Sequence, residues 1–426
     1  MKVLQINQVY KFGSTGRIIE ELINVACLDN IEMFVAYGYP KSVNNIVAED
    51  NALCLQPKAL RRKLNILRTR IFGHHGFYNE YETKNLIRWM DEIHPDIIHL
   101  HNIHNHYINI KLLFEYIKKH NIPIVWTLHD CWPFTGHCAY FDFRNCDRWK
   151  TECIRCQSIK DYPKTWFYDN TQRNYNEKRK IFTQICNIVF VSPSRWLHDL
   201  HQQSFLKQYP CMIINNGIDT SVFKPIKSRV REDYNIGNRK MYLAVSSGLA
   251  QRKGRTYLLD FSNYLNDDEV LVIVGLQKNQ VRLLPDNGKV IGIQRTNTAD
   301  ELVGLYSEAN VFINPTLEDN FPTTNIEALA CGTPVVTFNT GGSIECVLDD
   351  EIIVSNSGDI IKTKVGAVVP QKDINALLIA AREICLEGKS KYQEKCREKA
   401  VKRYNKVMQY KKYIELYKNI YSRNDI

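Results

Sequence analysis

Residues 317–336 combine the side chains best suited to binding a charged sugar derivative. The acidic pair Glu318 and Asp319 lies in a loop after the apolar strand 311–314, and Glu327 falls in the second turn of the helix that follows. A helix start attracts phosphate through its free N–H groups, and a carboxylate one turn further on can accept hydrogen bonds from sugar hydroxyls. The pattern indicates a nucleotide-sugar pocket. The alternative is an ordinary strand–loop–helix–strand unit with surface carboxylates.

Two shorter loops could contact the same kind of ligand. Arg252 and Lys253 follow the strand 241–245 and would place two cations at a helix start, where they can neutralise a diphosphate. A solvated basic turn is the alternative. Residues 13–16, Gly-Ser-Thr-Gly, form a predicted loop after the first strand, and their glycines would let the backbone approach a phosphate or a sugar. A plain flexible connection is the alternative there, because neither the dinucleotide fingerprint nor a Gly-Lys pair is present.

Histidines end two of the predicted buried strands. His129 follows the strand 123–128, and His99 and His101 lie at the end of the strand 96–100. Open parallel sheets bind ligands at the carboxyl ends of their strands, so these three side chains are candidate ligand contacts. A hydrogen-bonded core histidine is the commoner role for such a residue.

Four of the thirteen cysteines are clustered with the spacing C-x7-C-x6-C-x2-C. In a reducing compartment, tetrahedral thiolate coordination suits a structural zinc ion, and the C-x2-C half supplies a tight turn. Free thiols and disulfides are the alternatives, and His137 could substitute as a ligand. A closed four-thiolate site would have no open position, so it would not be catalytic. The predicted ligands are Cys138, Cys146, Cys153 and Cys156.

The segment 58–72 is basic and amphipathic, with Leu60, Leu64, Leu67 and Ile71 recurring at helical spacing between arginines. Such a helix could rest on an anionic membrane leaflet and reach a lipid-linked acceptor. A solvated helix face is the alternative. The net charge of +10 is compatible with either reading. Nucleic acid is not the expected partner, because no helix-turn-helix or RNA-binding signature accompanies the charge.

The length and composition indicate a globular protein of two domains. A chain of 426 residues exceeds one typical core, and 44% hydrophobic with 24% charged residues excludes a disordered chain. The first residues form a predicted strand without an apolar secretory region, and no run of about eighteen apolar residues could span a membrane. We expect a cytoplasmic protein, with peripheral contact on the inner face of the cytoplasmic membrane if 58–72 binds lipid.

Strands and helices alternate through both halves of the chain, which predicts parallel sheets covered by helices. The first half should contain the strands 3–6, 34–37, 96–100, 123–128, 187–191 and 212–214, with helices at 17–27 and 111–120. The second should begin near 241–245, continue with 270–274, and contain a helix capped by Thr298. The turn-rich segment 215–225 would lie between them.

The motif from residue 317 onward resembles the signature of the retaining glycosyltransferases of family four. In that family an acidic residue precedes a glutamate in the pattern E-x7-E, and Asp319 and Glu327 keep this spacing with Asp319 in the first place. The continuation Ala-Cys-Gly-Thr-Pro-Val-Val, the segment 341–345 and the linker 215–225 fit the same family. The resemblance covers nearly the whole chain.

The resemblance implies the α/β GT-B fold, in which two Rossmann-like doubly wound domains face each other across a ligand cleft. It gives an N-terminal acceptor-side domain at 1–222 that includes the Cys-rich loop 131–156. It gives a nucleotide-sugar domain at 223–403 and a terminal helix at 404–426 that crosses back onto the N-terminal domain. Catalysis in this family generally requires no metal, so any zinc would be structural.

The resemblance also assigns roles to individual residues. His129, Asp319 and Glu318 would lie nearest the transferred sugar, and His99 and His101 are second-rank acceptor contacts. Gly248 stands where the family usually has an arginine, and Arg252 could replace the missing charge. The residues implied for donor binding are Gly16, Arg252, Lys253, Asn320, Phe321, Thr323, Thr324 and Glu327.

The implied function is retaining transfer of a sugar from a UDP- or GDP-linked donor to an acceptor hydroxyl. The acceptor would be a glycan or a polyprenyl-linked glycan in bacterial capsule or exopolysaccharide assembly. A nucleotide-sugar epimerase on the same scaffold would instead release free epimer. A non-catalytic nucleotide-sugar-binding protein would bind without conversion, and the glycine at 248 is the feature that favours it.

Overall fold

The computed structural model describes residues 1–41, 50–246, 250–285, 287–296, 298–348 and 359–424. The chain divides into two compact units. One comprises residues 1–215 together with 409–426, and the other comprises residues 216–408. Each unit has its own sheet covered by helices, which confirms the expected α/β class of two doubly wound domains.

In the first unit, the described residues form a seven-stranded sheet in the order β3-β2-β1-β4-β5-β6-β7. All neighbouring strands are parallel. The order reverses at β1, so the chain winds outward in both directions from the middle of the sheet. The strands are β1 Lys2–Val9, β2 Glu32–Tyr39, β3 Ala52–Cys54, β4 Ile97–Leu100, β5 Ile124–Thr127, β6 Ile188–Ser192 and β7 Cys211–Ile213.

The helices of the first unit connect these strands. The Cys-rich segment between β5 and the fifth helix contains only short 3₁₀ turns, at Trp132–Phe134, Asp142–Arg144 and Arg148–Lys150. The α-helices are α1 Gly13–Cys27, α2 Ala59–Phe72, α3 Glu80–Ile93, α4 Ile110–His120, α5 Thr171–Phe182 and α6 Arg195–Gln203.

In the second unit, the described residues form another seven-stranded sheet, in the order β10-β9-β8-β11-β12-β14-β13. Its neighbours are parallel except at one edge, where β13 is antiparallel to β14. The strands are β8 Lys240–Val245, β9 Glu269–Val274, β10 Val290–Ile293, β11 Val311–Asn314, β12 Val335–Phe338, β13 Ile361–Thr363 and β14 Gly366–Val369.

The helices of the second unit include the one that follows the acidic loop. Short 3₁₀ turns lie at Gln251–Lys253 and Gly341–Cys346. The α-helices are α7 Val230–Asp233, α8 Arg255–Asn263, α9 Lys278–Val281, α10 Ala299–Glu308, α11 Thr323–Ala330, α12 Ile374–Glu387 and α13 Ser390–Tyr404. The next helix, α14 Lys406–Asn424, belongs mostly to the first unit.

The central strands are apolar because helices cover both faces of each sheet. All residues of β4, β5 and β9 are buried, which is why these strands appear in the sequence as mostly apolar runs, interrupted by His99 in β4 and preceded by Glu269 in β9. The end of the chain contributes to the first core, where tyrosines of α14 pack against sheet residues. This cluster includes Val3, Ile97, Val125, Tyr410, Tyr413, Ile414 and Tyr417.

The structure corrects two local predictions. Residues 13–16 are not a loop, because α1 already begins at Gly13. The terminal helix does not begin at Tyr404, which ends α13; a break at Asn405 separates it from α14. The predicted N-cap of α10 is confirmed, since Thr298 Oγ1 accepts a hydrogen bond from Glu301 N at 3.0 Å. Among the described residues, no helix has both the length and the apolar character needed to cross a bilayer.

Candidate functional site

The basic turn Gln251–Lys253 lies against the acidic loop that follows β11. Lys253 Nζ forms an ion pair with Asp319 Oδ2. Arg252 Nη1 donates a hydrogen bond to the Glu318 carbonyl oxygen at 2.5 Å, and Leu317 N donates to the Arg252 carbonyl oxygen at 2.8 Å. The two cations and the acidic pair predicted from separate parts of the sequence therefore meet in one place.

Gly254 makes this close approach possible. Its φ is +78°, a left-handed conformation that favours glycine, and a Cβ built on it would lie only 2.0 Å from the Pro315 carbonyl oxygen. The basic turn can therefore lie directly on the end of β11. Any side chain at residue 254 would separate Arg252 and Lys253 from the acidic loop.

Charge pairing keeps Asp319 ionised although it is largely buried. Its side chain is 14% exposed and that of Lys253 is 27% exposed. Burial alone would raise the pKa of Asp319, but Lys253 and Arg252 hold that pKa below its ordinary value. Burial lowers the pKa of Lys253, and Asp319 partly offsets that effect. The pair is a preformed, partly exposed charge centre.

The helix α11 starts directly after this loop. Pro322 is its N-cap residue and makes no side-chain cap hydrogen bond, and Thr323 and Thr324 form the first turn with half-buried side chains. Beneath them, the buried Asn325 accepts a hydrogen bond from Asn314 Nδ2 at 2.8 Å and donates to Ser343 Oγ at 3.1 Å. This buried network fixes the helix start relative to the ends of β11 and the turn after β12.

Glu327 is half-buried in the second turn of α11. Tyr306 of α10 donates its hydroxyl to Glu327 Oε2 at 2.8 Å. Burial, together with the neighbouring Glu327 charge, raises the pKa of Tyr306 well above its ordinary value, so the hydroxyl stays a donor. Tyr306 is a positioning residue that the sequence did not reveal, because nothing in its spacing links it to Glu327.

The predicted catalytic residue Glu318 and the predicted donor-binding residues Asn320 and Phe321 are buried. Glu318 and Asn320 have relative exposures of 0% and 5%, and Phe321 has 3%. The Phe321 ring packs edge-on against Tyr404 at 5.5 Å, and its carbonyl oxygen accepts a hydrogen bond from Asn216 Nδ2 at 3.1 Å. Asp319 is thus the more exposed member of the acidic pair. Gly248, the departure from the family pattern, lies outside the described residues.

In the first unit, His129 and His101 lie side by side at the carboxyl ends of β5 and β4. His101 Nδ1 is 2.9 Å from His129 Nε2, and His101 Nε2 is 3.0 Å from Gln5 Oε1. Burial lowers the pKa of His129 to about 4 and that of His101 well below its ordinary value. Both rings are therefore neutral near pH 7.

His99 lies deeper in the same unit and is fully buried. Its Nδ1 is 2.5 Å from the Tyr417 hydroxyl and its Nε2 is 2.8 Å from Thr127 Oγ1. Both ring nitrogens are therefore engaged with neighbours inside the unit. This placement matches the alternative of a hydrogen-bonded core histidine, while the acceptor role predicted for His99 stays a prediction.

A buried carboxylate–histidine pair, which the sequence did not reveal, lies next to His129. Asp130 Oδ2 is 2.7 Å from His104 Nε2, and Tyr162 lies 3.3 Å from the other ring nitrogen of His104. Burial would raise the pKa of Asp130, but His104 and the Trp132 amide hold it below its ordinary value. The position of Asp130 shortly after the buried strand β5 could have indicated such a pair, because a buried carboxylate needs a hydrogen-bonding partner.

Gly16 lies in the first turn of α1, where the helix approaches the end of β1. A Cβ at this position would be 3.3 Å from the backbone of Tyr10 and Lys11. Asn7 Nδ2 donates a hydrogen bond to Thr15 Oγ1 at 3.2 Å. The glycine therefore serves close packing of helix on strand, and its predicted contact with the donor stays a prediction.

The cysteine cluster does not form a metal-binding group. In the part of the chain that the structure describes, no set of three or more His, Cys, Asp or Glu side chains is placed to hold a metal ion. The structure therefore gives the zinc prediction no support. The cysteines are free thiols: Cys138 and Cys153 are buried, while Cys146 and Cys156 are half-buried. Cys138 and Cys156 are hydrogen-bonded to each other, so the two ends of the segment do meet.

Comparison with known proteins identifies both halves of the chain. The family model described as Glycosyltransferase Family 4 matches residues 52–222, and the model described as Glycosyl transferases group 1 matches residues 227–403. The chain is 26% identical over 357 residues to the putative colanic acid biosynthesis glycosyl transferase WcaC of Escherichia coli, an alignment covering 81% of this chain and 85% of that protein.

A second relative matches only part of the chain. The GDP-mannose-dependent alpha-(1-6)-phosphatidylinositol monomannoside mannosyltransferase of Mycolicibacterium smegmatis is 30% identical over 187 residues. That alignment covers 39% of this chain and 45% of the relative.

Solved structures show the fold. Sucrose-phosphate synthase from Thermosynechococcus elongatus superposes with a TM-score of 0.70 at 15% identity, covering 99% of this chain and 100% of that one. Anabaena HepE in complex with UDP superposes with a TM-score of 0.67 at 14% identity, covering 98% and 100%. Together with the two family models, these similarities show that the chain belongs to the family-four glycosyltransferases of the GT-B fold.

Proposed function

We propose that this glycosyltransferase moves a sugar from a nucleotide diphosphate sugar to an acceptor hydroxyl with retention of configuration. The observation that carries the proposal is the Lys253–Asp319 ion pair in the loop that leads into α11. Cations, a carboxylate and an amide-rich helix start are the groups that a sugar diphosphate requires at its two ends.

The proposed donor contacts of the second unit are based on this geometry, and those of the first unit on the family resemblance. Lys253 and Arg252 would bind the diphosphate, together with the backbone amides of residues 321–324. Glu327, already oriented by Tyr306, would accept hydrogen bonds from the ribose hydroxyls. Asp319 would lie beside the sugar. The buried residues Glu318 and Asn320 would hold the loop in position. His129 of the first unit is proposed to contact the transferred sugar, and Gly16 to allow the backbone near it.

The proposed chemistry is electrostatic. The bond from the sugar to the diphosphate breaks as negative charge builds on the leaving oxygen, and Lys253 and Arg252 stabilise that charge. A preorganised donor of this kind contributes roughly 3 kcal/mol to transition-state stabilisation. The acceptor hydroxyl forms the new bond on the same face of the sugar, and the leaving phosphate takes its proton. In this scheme no protein side chain acts as the nucleophile, and no metal ion takes part.

The acceptor is proposed to be a glycan or a polyprenyl-linked glycan in cell-surface polysaccharide assembly, with the reaction in the cytoplasm. Support for this comes from the name of the E. coli relative, which refers to colanic acid biosynthesis. The names of similar proteins include both donor nucleotides: one relative is GDP-mannose-dependent, and HepE was solved with UDP and with UDP-glucose. Both UDP- and GDP-linked sugars therefore belong in the test.

A panel of UDP- and GDP-sugars tests the donor proposal. A true donor should raise the melting temperature by mass action, and Glu327→Ala should abolish that shift. The same variant should also lower the melting temperature without ligand, because the buried Tyr306 hydroxyl loses its acceptor. Glu394→Ala, which removes an exposed glutamate from α13 of the same unit, is the matched control and should keep the shift. An unchanged shift in Glu327→Ala would remove this residue from the site.

Product analysis tests the reaction. Labelled sugar appearing on an acceptor or on water, with its anomeric configuration retained in the NMR spectrum, supports the proposal. Release of an epimerised nucleotide sugar would instead identify an isomerase. Binding without any conversion across a broad acceptor panel would identify a nucleotide-sugar-binding protein.

A further inference from the structure

The helix α2 is oriented with its polar residues inward and its leucines outward. Asn65 and Thr69, which face the protein, are 6% and 1% exposed. Leu60, Leu64 and Leu67 are 73%, 50% and 44% exposed. A helix that only contributed to the core would show the opposite arrangement. The apolar stripe of α2 therefore is not accounted for by the folding of this unit.

Polar contacts hold the inner face of α2 in place. The side-chain amides of Asn65 and Asn79 are 2.6 Å apart. Thr69 Oγ1 is 3.2 Å from His106 Nδ1, and the Asn65 carbonyl oxygen accepts the Thr69 hydroxyl at 2.6 Å. These buried hydrogen bonds fix the rotation of the helix about its axis, and hence the outward direction of its leucines.

Cationic side chains flank the leucines on both sides. At about 100° per residue, Lys63 and Arg70 fall on one side of the stripe, and Arg61 and Arg68 fall on the other. Lys63 and Arg68 are exposed. Arg61 is partly neutralised, because it forms an ion pair with Glu82 at 2.8 Å. The remaining cations give the surface a positive rim.

An exposed aromatic segment continues the same surface. Trp166 N donates to the Arg70 carbonyl oxygen at 2.6 Å, and Tyr168 N donates to the Ile71 carbonyl oxygen at 3.0 Å, so this segment is attached to the end of α2. The Tyr168 ring stacks on Phe72 with 5.6 Å between centroids. Trp166, Phe167 and Tyr168 are 47%, 73% and 58% exposed.

We propose that α2 and residues 166–168 form one membrane-binding surface that lies in the headgroup region of an anionic lipid bilayer. Aliphatic side chains between two cationic rows match a leaflet that is apolar inside and negatively charged at its surface. Trp and Tyr favour that boundary because each ring has an apolar body and a polar edge. This surface is separate from the proposed donor contacts, and its test does not depend on sugar transfer.

Vesicle flotation of the full chain tests this surface. Binding should be several-fold greater to vesicles with about 30% phosphatidylglycerol than to phosphatidylcholine alone, because the rim is cationic. Vesicle binding should weaken when salt rises from about 0.1 M to about 0.5 M, since salt screens the attraction between the cationic side chains and the anionic lipid. Trp166 fluorescence should shift to shorter wavelength on binding, and Trp166→Phe should remove that shift.

Paired variants identify the residues responsible. Leu64→Ser with Leu67→Ser should reduce vesicle binding at least tenfold while leaving the melting temperature and the nucleotide-induced shift unchanged, because both leucines are exposed. Leu283→Ser with Leu386→Ser is the matched control: these leucines are 63% and 77% exposed but belong to the second unit. The control should bind vesicles as the wild type does.

Three results would overturn the proposal. The first is equal binding to neutral and anionic vesicles or to neither, and the second is full binding by the Leu64/Leu67 variant. The third is a wild-type dimer in sedimentation that becomes monomeric in the same variant, which would assign the stripe to a second copy of the chain.

Discussion

His101 and His129 lie edge to edge, with 5.2 Å between ring centroids and 14° between planes, and their facing nitrogens are 2.9 Å apart. Both rings are neutral near pH 7, so each carries one proton. Gln5 Oε1 can only accept, so His101 donates from Nε2 and its Nδ1 accepts from His129 Nε2. His101 is therefore a positioning residue that sets the tautomer of His129.

We predict that Gln5→Leu changes the tautomer of His129, because His101 is then free to reverse its own proton position. The ¹⁵N NMR spectrum of the ring nitrogens should show a mixture of forms in place of the single Nε2–H form. The wild type should keep the single form between about pH 6 and pH 8, because burial lowers the pKa of His129 to about 4. If His129 contacts the sugar as proposed, kcat/KM should fall roughly tenfold in Gln5→Leu, as expected for a displaced contact group. An unaltered spectrum would contradict the conclusion that Gln5 and His101 set the tautomer of His129.

We predict that Lys253→Met lowers kcat by about 100-fold or more, because a cation on the leaving diphosphate is lost. It should also lower the free energy of unfolding by about 1–3 kcal/mol, since Asp319 would remain largely buried without its partner. Enzyme kinetics and urea unfolding measure the two effects separately.

The double variant Lys253→Met with Asp319→Asn separates stability from catalysis. Removing both charges should recover most of the lost unfolding free energy, because no unpaired charge remains. It should not recover kcat. Because Asp319 is itself proposed to lie beside the sugar, the reference is Asp319→Asn alone. Equal kcat in the double variant and in Asp319→Asn would show that Lys253 has only a structural role.

Tyr306→Phe should weaken nucleotide binding because it removes the hydroxyl that orients Glu327. One such hydrogen bond contributes about 1 kcal/mol, which corresponds to roughly fivefold in Kd. Calorimetric titration with the nucleotide diphosphate of the true donor measures the change. Tyr234→Phe is a suitable control, since that hydroxyl bonds Glu301 at a different place in the same unit. Unchanged affinity in Tyr306→Phe would mean that Glu327 is positioned without this contact.

Acid should destabilise the first unit through buried histidines such as His201. Burial, and then nearby His198, lower the pKa of His201 to about 4, so the unfolded chain binds a proton more readily than the folded one. The contribution of neutral His201 to the free energy of unfolding is fully present above about pH 6.5 and is lost as the pH falls toward about 4. At pH 5 the loss should be about 2 kcal/mol.

Substitution of His201 tests whether its titration lowers the stability of the protein in acid. In His201→Leu, the fall in unfolding free energy between pH 7.5 and pH 5 should be about 2 kcal/mol smaller than in the wild type. His198→Gln removes a neighbouring histidine that lies half-buried at the surface, and it should retain most of the pH dependence. Identical pH profiles for His201→Leu and the wild type would contradict the assignment.

The sequence by itself determined the fold class and where the chemistry is concentrated. Buried parallel strands such as β5 and β9 are mostly apolar, because both of their faces are covered. The motif that contains Asp319 and Glu327 pointed to a glycosyltransferase through its resemblance to the family-four signature. That signature is readable in the sequence because a strand, a loop and a helix start are adjacent in the chain.

Only the tertiary structure decided which side chains meet across long separations. Lys253 and Asp319, Tyr306 and Glu327, and His101 and His129 are brought together by strand order and helix packing, which no local pattern encodes. The same holds for α2, whose amphipathic sequence fits either orientation. Its rotation was set by the buried contacts of Asn65 and Thr69, and those contacts turned the leucines outward.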